Sequence, residues 1–219
     1  MNYTKFLFIT FIFVLTSCEF GGNAEKKPTE NETKKEETTT KTPEKTDNWL
    51  VIPGQQVGRI QADFNREDIY KMFGEENVAE TEIGLGEGET KMGLLVFPKT
   101  KNELQVLFQG DQQMEKLDRI KIQRENAMWK TASGVKVGTS LEELIQMNGK
   151  DFQFYGFEWD YAGRLASWQE GKLSDQLIVF LDPTNMEPAM QMVGDQAFSS
   201  SNPDAKKADL KVISFEVTF

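Results

Sequence analysis

The stretch VKVGTSLEELIQMNG, Val135–Gly149, decides the fold. A short alternating strand precedes Ser140, whose hydroxyl can accept a free amide of a first helical turn. Glu143 stands three residues further on, at the spacing of a capping box. Leu144, Ile145 and Met147 form an apolar stripe at helical spacing, and Gly149 can take the left-handed conformation that stops a helix. The stretch IQADFNREDIYKMFG, Ile60–Gly74, lines up with it without a gap. Asn65 matches Ser140 as N-cap, Asp68 matches Glu143, Ile69 matches Leu144, Met72 matches Met147 and Gly74 matches Gly149. Repetition of a whole unit carries more information than any one of its positions.

After each helix the apolar period changes to two. KMGLLVFP, NELQVLFQ and LDRIKIQR follow the first; DFQFYGFEWDY, RLASWQ, DQLIVFLD and KVISFEVTF follow the second. Turn residues separate these strand patterns. The expected fold is therefore α+β, a tandem repeat of strand, capped helix and antiparallel strands, with the helices packed on one face of the sheet. The repeats are expected over residues 49–130 and 131–219.

The helix unit GVKVGTSLEEL, Gly134–Leu144, resembles the glycine-threonine turn before a helix in the β-lactamase inhibitor protein and in small lipoproteins of outer-membrane protein assembly. The first copy departs from that pattern, with Phe64 and Asn65 where the second has Thr139 and Ser140. GTSLEEL, NGKDF and GFEWDYAG also resemble an uncharacterised family of exported bacterial proteins. The resemblance implies a tandem α+β lipoprotein and brings no activity with it.

The chain opens MNYTKFLFITFIFVLTSCEF. Lys5 precedes an apolar run from Phe6 to Leu15, too short for the roughly 20 residues a membrane helix needs and suited to a signal peptide over residues 1–17. LTSC, Leu15–Cys18, resembles a bacterial lipobox, which implies that Cys18 becomes the lipidated first residue of the mature protein. Cys18 is the one cysteine in the chain, so no internal disulfide can form. Glu19 follows it, not the Asp that retains such proteins in the inner membrane, so the expected location is the bacterial cell envelope, lipid-anchored in the outer membrane. Of the tether expected over residues 18–48, the part from Gly21 to Asn48 reads GGNAEKKPTENETKKEETTTKTPEKTDN, without large apolar side chains to offset ordering entropy. As a flexible tether this segment would hold its domain about 30 Å from the membrane.

A net charge of −10 makes binding to DNA, RNA or anionic lipid by bulk charge unfavourable, so no nucleic-acid partner is expected. The chain has no histidine. That removes the commonest general base near neutral pH, the Ser-His triad and the usual zinc ligands. With Cys18 committed to lipid, no thiol remains. The expectation is a non-enzymatic protein with no cofactor, no metal and no catalytic residue.

The chemistry that remains is concentrated in NGKDFQFYGFEWDYAG, Asn148–Gly163. Read as one strand with a glycine bulge at Gly156, it would turn Phe152, Phe154, Phe157, Trp159 and Tyr161 to one side and Glu158 and Asp160 to the other. That describes a packed strand with Trp159 in the core and Trp168 the more exposed ring. As a site, Trp159, Tyr161 and Trp168 would line a groove for a partner or a glycan, with Asp160 and Glu158 at its rim. As a hydrolase, Glu158 and Asp160 would be the carboxylate pair, although acids pointing in parallel suit a bond-flanking mechanism poorly. The expected function is a membrane-anchored binding domain for a protein or envelope component. The alternatives are a glycan-binding protein or hydrolase using residues 152–161, and a structural envelope protein without a discrete ligand.

Three further stretches have plain readings. GLGEGE, Gly84–Glu89, lacks the strand-to-helix setting of a phosphate loop and reads as a hairpin turn. LQVLFQGD, Leu104–Asp111, resembles a picornaviral protease site but reads as a strand ending at Gly110. SSSNPDAKK, Ser199–Lys207, reads as a surface loop.

Overall fold

The computed structural model describes residues 49–110 and 113–219. The signal peptide, Cys18 and the tether expected over residues 18–48 lie outside them. The architecture is α+β, with more strand than helix. Three short strands come first, β1 (Leu50–Ile52), β2 (Gln56–Val57) and β3 (Ile60–Gln61), followed by helix α1 (Arg66–Phe73). Four strands then run back and forth: β4 (Val78–Gly86), β5 (Glu89–Val96), β6 (Leu104–Phe108) and β7 (Leu117–Ile122). Strand β8 (Lys130–Thr131) leads to helix α2 (Leu141–Asn148) and strands β9 (Gln153–Tyr155), β10 (Leu165–Ser167) and β11 (Leu177–Pro183). The chain closes with a short helix α3 (Met186–Ala189), strand β12 (Ala197–Ser199), helix α4 (Pro203–Lys207) and strand β13 (Leu210–Thr218).

Both long helices begin as their sequences require. Ser140 Oγ accepts from the Glu143 N–H at 3.3 Å, and Glu143 Oε2 accepts from the Ser140 N–H at 2.8 Å. Asn65 and Asp68 make the same reciprocal pair, at 3.0 and 3.1 Å, so the first helix has a capping box too. Gly149 ends α2 in the left-handed region, φ 81° and ψ 0°. Gly74 ends α1 at the same φ but with ψ 154°, and a single 3-10 turn, Glu75–Asn77, follows before β4.

The six-stranded antiparallel sheet runs in the order β11-β13-β7-β6-β5-β4. Its register aligns one row of side chains across every strand: Val179, Phe215, Ile122, Leu104, Val96 and Val78. All six are buried. The neighbouring row, Leu177, Val217, Ile120, Val106 and Leu94, is buried as well and ends at the sheet edge on Glu80, which is ion-paired to Arg66 of α1. Period-two alternation puts Arg119, Lys121 and Glu216 on the opposite face. There Glu216 accepts from Arg119 at 3.4 Å, and Lys121 Nζ lies 5.0 Å from the Phe180 ring centroid.

Hydrogen bonding crosses the expected boundary between residues 130 and 131. β13 pairs with β7, and β8 runs parallel to β1 in a small sheet of order β3-β2-β1-β8. Trp49 and Trp129 meet edge to face beside it, at 4.8 Å. Strands β10, β9 and β12 form a third sheet.

Two local readings change. The Ser199–Lys207 segment is not all loop. Asn202 accepts from the Asp204 N–H at 2.9 Å, Pro203 opens the helix, and Ala205 is fully buried. Nor is DFQFYGFEWDY one strand: β9 ends at Tyr155, and Phe157 beyond it makes only an isolated parallel bridge to Val193. Gly156 passes so close to the Met192 and Gly194 carbonyls that no Cβ would fit, and Glu158 then takes φ 64°. The bulge expected at Gly156 occurs instead in β10, between Leu165 and Ser167.

Candidate functional site

The break after Tyr155 sorts the aromatics into two groups. Phe152, Phe154 and Phe157 enter the core, where Phe152 meets Trp168 at 5.1 Å and Phe154 meets Phe157 at 6.1 Å. Trp168 is 1% exposed and donates its indole N–H to the Leu177 carbonyl at 2.9 Å. It is therefore a core residue and lines no groove, contrary to the sequence expectation. Trp159, expected in the core, is only half-buried. The exchange has a physical cause: a buried indole needs both apolar walls and an acceptor for its N–H, and Phe152 with the Leu177 carbonyl supplies Trp168 with both.

Tyr155, Trp159 and Tyr161 form the second group. Trp159 meets Tyr155 at 5.6 Å and Tyr161 at 5.3 Å, both edge to face. Its indole donates to the Gly156 carbonyl at 3.0 Å, which fixes the ring over the turn that creates it. The turn is itself tied by Ala162 N–H to Trp159 O and Arg164 N–H to Tyr161 O, each 3.1 Å. The Tyr161 ring packs over Gly86 at the tip of the β4–β5 hairpin. That tip is a two-residue turn, Glu87 and Gly88, both at positive φ, as expected for GLGEGE. Glu158 and Asp160 are exposed beside the rings.

The structure thus brings together Trp159, Tyr161, Glu158 and Asp160, adds Tyr155, and removes Trp168. Interlocked rings held half out of solvent, with carboxylates beside them, offer apolar contact and hydrogen-bond acceptance. Cys18 lies outside the described residues. Among the described residues, no group of three or more His, Cys, Asp or Glu side chains is placed to hold a metal ion, and no helix is long and apolar enough to cross a membrane.

Sequence reasoning missed two buried polar anchors. Glu103, 4% exposed, receives Arg124 Nε and Nη2 at 3.0 and 2.6 Å and the Lys99 backbone N–H at 2.8 Å. Asn148, 1% exposed, donates to the carbonyls of Lys150 and Trp168 at 3.0 Å and accepts from Leu173 N–H at 3.3 Å. Nothing local marks either one, because each partner set is assembled by the fold. No protein-family model, curated protein or solved structure matches the chain.

Proposed function

We propose that this chain is an outer-membrane lipoprotein whose residues 49–219 form a non-enzymatic binding domain for an envelope protein, built from two copies of one α+β unit. Equal eight-residue helices with the same reciprocal cap support the repeat. On this reading both helices lie on the face that carries the buried rows of the six-stranded sheet. The lipobox-like Leu15–Cys18 and the charged tether support the anchor.

The observation that carries the binding role is the half-exposed Tyr155–Trp159–Tyr161 cluster. Tyr and Trp give large contact area at little entropic cost when their rings are already held, and such residues dominate interface energetics. Hydrolysis is the weaker reading, since its two carboxylates must flank the scissile bond, whereas Glu158 and Asp160 sit on one exposed turn.

A photoreactive residue placed at Tyr161 in cells tests the binding role. It should crosslink to an envelope protein, and Trp159→Ala should abolish the adduct. A reproducible adduct to glycan would transfer the role to the glycan reading, and none at all would remove the cluster as a site. For the anchor, Cys18→Ala should end fatty-acid labelling and release the protein to the soluble fraction. Labelling that persists in that variant would sink it.

A further inference from the structure

The six-stranded sheet ends differently at its two edges. Beside β11 the chain supplies partners: Leu181 donates its backbone N–H to Gly163 O at 2.9 Å, Arg164 bridges Phe180, and the strand closes on Pro183, which has no N–H. Beside β4, among the described residues, nothing pairs with the backbone. This strand is nine residues long and contains neither Pro nor Lys. Proteins ordinarily protect an edge by shortening it, by Pro, charges or bulges, or by covering it, and β4 has only the charges of Glu80 and Glu82 and an irregularity near its end. Here a register shift between Gly84 and Gly86 interrupts the strand, and from Val78 to Ile83 the outward backbone donors and acceptors stay open over about 20 Å.

A recess of about 740 Å³ opens along this edge between β4 and α1, with Tyr70 and Lys71 on one side and Val78, Ala79 and Glu80 on the other. A strand edge with a helix and groove beside it is the arrangement by which strand-addition domains hold extended peptides. Main-chain hydrogen bonds supply affinity there, and the groove reads alternate side chains. Arg66 is already engaged, paired with Glu80 and 5.0 Å from the Tyr70 ring centroid. Glu67 and Glu75 line the recess against Lys71, and Glu82 stands exposed further along β4, so the balance along this edge is acidic.

We propose that the β4 edge accepts an extended segment of another protein, with a basic side chain at the position that faces Glu82. A second copy of this chain fits worse. In a two-fold pairing centred on Thr81, Glu80 of each copy would oppose Glu82 of the other, and like charges directly across a strand pair destabilise it. The aromatic cluster meets β4 at Gly86, at the far end of the strand from Val78–Glu82, so this site stands whether or not that cluster binds.

The test uses the full chain in detergent with fluorescent peptides of alternating Lys and Val, or of alternating Glu and Val. Lys peptides N-methylated at every second residue, in both phases, are the backbone controls. The Lys peptide should bind at least about tenfold more tightly than the Glu peptide, and Glu82→Lys should invert that preference. At least one methylated phase should fail to bind, and amide exchange across Val78–Gly86 should slow on binding. Glu82 is exposed and has no ion pair among the described residues, so the variant retains its fold. Binding that survives methylation in both phases, a preference unchanged by Glu82→Lys, or failure of both unmodified peptides would overturn the proposal. So would a concentration-dependent dimer that protects the same amides without peptide.

Discussion

Asn148 fills the space that a side chain on Gly171 would need. The last residue of α2 thereby clamps the loop between β10 and β11, and Lys172 N–H returns a hydrogen bond to the Asn148 carbonyl at 2.8 Å. Asn148→Ala leaves the Trp168 carbonyl and Leu173 N–H without their partner, which should cost about 2–4 kcal/mol in urea unfolding. Gly171→Ala should cost about 1–3 kcal/mol, because the crowded amide must move. The two losses should fall short of additive when combined, since both act on one contact. Additive losses would mean the clamp is not shared.

The exchange between the two tryptophans has a simple readout. Trp168→Ala should lower stability by about 3–5 kcal/mol, as large buried aromatics do. Trp159→Ala should cost clearly less, because its ring is half-exposed and its hydrogen bond is local. Equal losses in urea unfolding would contradict the assignment of Trp168 to the core.

The cap of α2 predicts a pH dependence. Glu143 is held below its ordinary value of 4.5, first by the Ser140 backbone N–H and then by the Ser140 hydroxyl. A carboxylate with a lowered folded-state pKa adds stability that is present above 4.5 and lost as pH falls through the folded value. Glu143→Gln should therefore be less stable than the parent at pH 7, and the gap should close in acid below that range. Ser140→Ala should cost about 0.5–2 kcal/mol at pH 7. A gap that persists unchanged at the acid end would show that the charge of Glu143 contributes nothing.

LQVLFQGD should not be cut in the folded protein. A protease reads its site as an extended, accessible strand. Leu104–Phe108 is instead β6, hydrogen-bonded between β5 and β7 with Leu104, Val106, Leu107 and Phe108 buried, and Gln109 N–H bonds Lys116 O at 2.8 Å. The picornaviral enzyme should leave the native chain intact on a gel and cleave after Gln109 only once denaturant opens the sheet. Cleavage under native conditions would mean that β6 leaves the sheet readily.

Elements governed by neighbours in sequence were legible from the start. A capping box needs only residues three apart, so Ser140 with Glu143 and the helix behind them could be read directly, as could the hairpin turn at Glu87 and Gly88. The strand patterns of β5, β6, β7, β11 and β13 were visible because alternation is local. β4 was overlooked because Glu80, Glu82 and its glycines dilute the apolar period at a sheet edge.

What the sequence determined alone is the class: two capped helices among alternating strands, in an acidic chain without histidine and with a single cysteine. The tertiary structure decided which ring is core and which is surface, that β13 joins β7 across the halves, and that β4 is left as an open edge. Burial, acceptor supply and strand neighbours depend on residues far apart in the chain. Trp168 is buried because Phe152 and the Leu177 carbonyl are brought to it, and Trp159 stays at the surface because Gly156 must pass beneath two distant carbonyls.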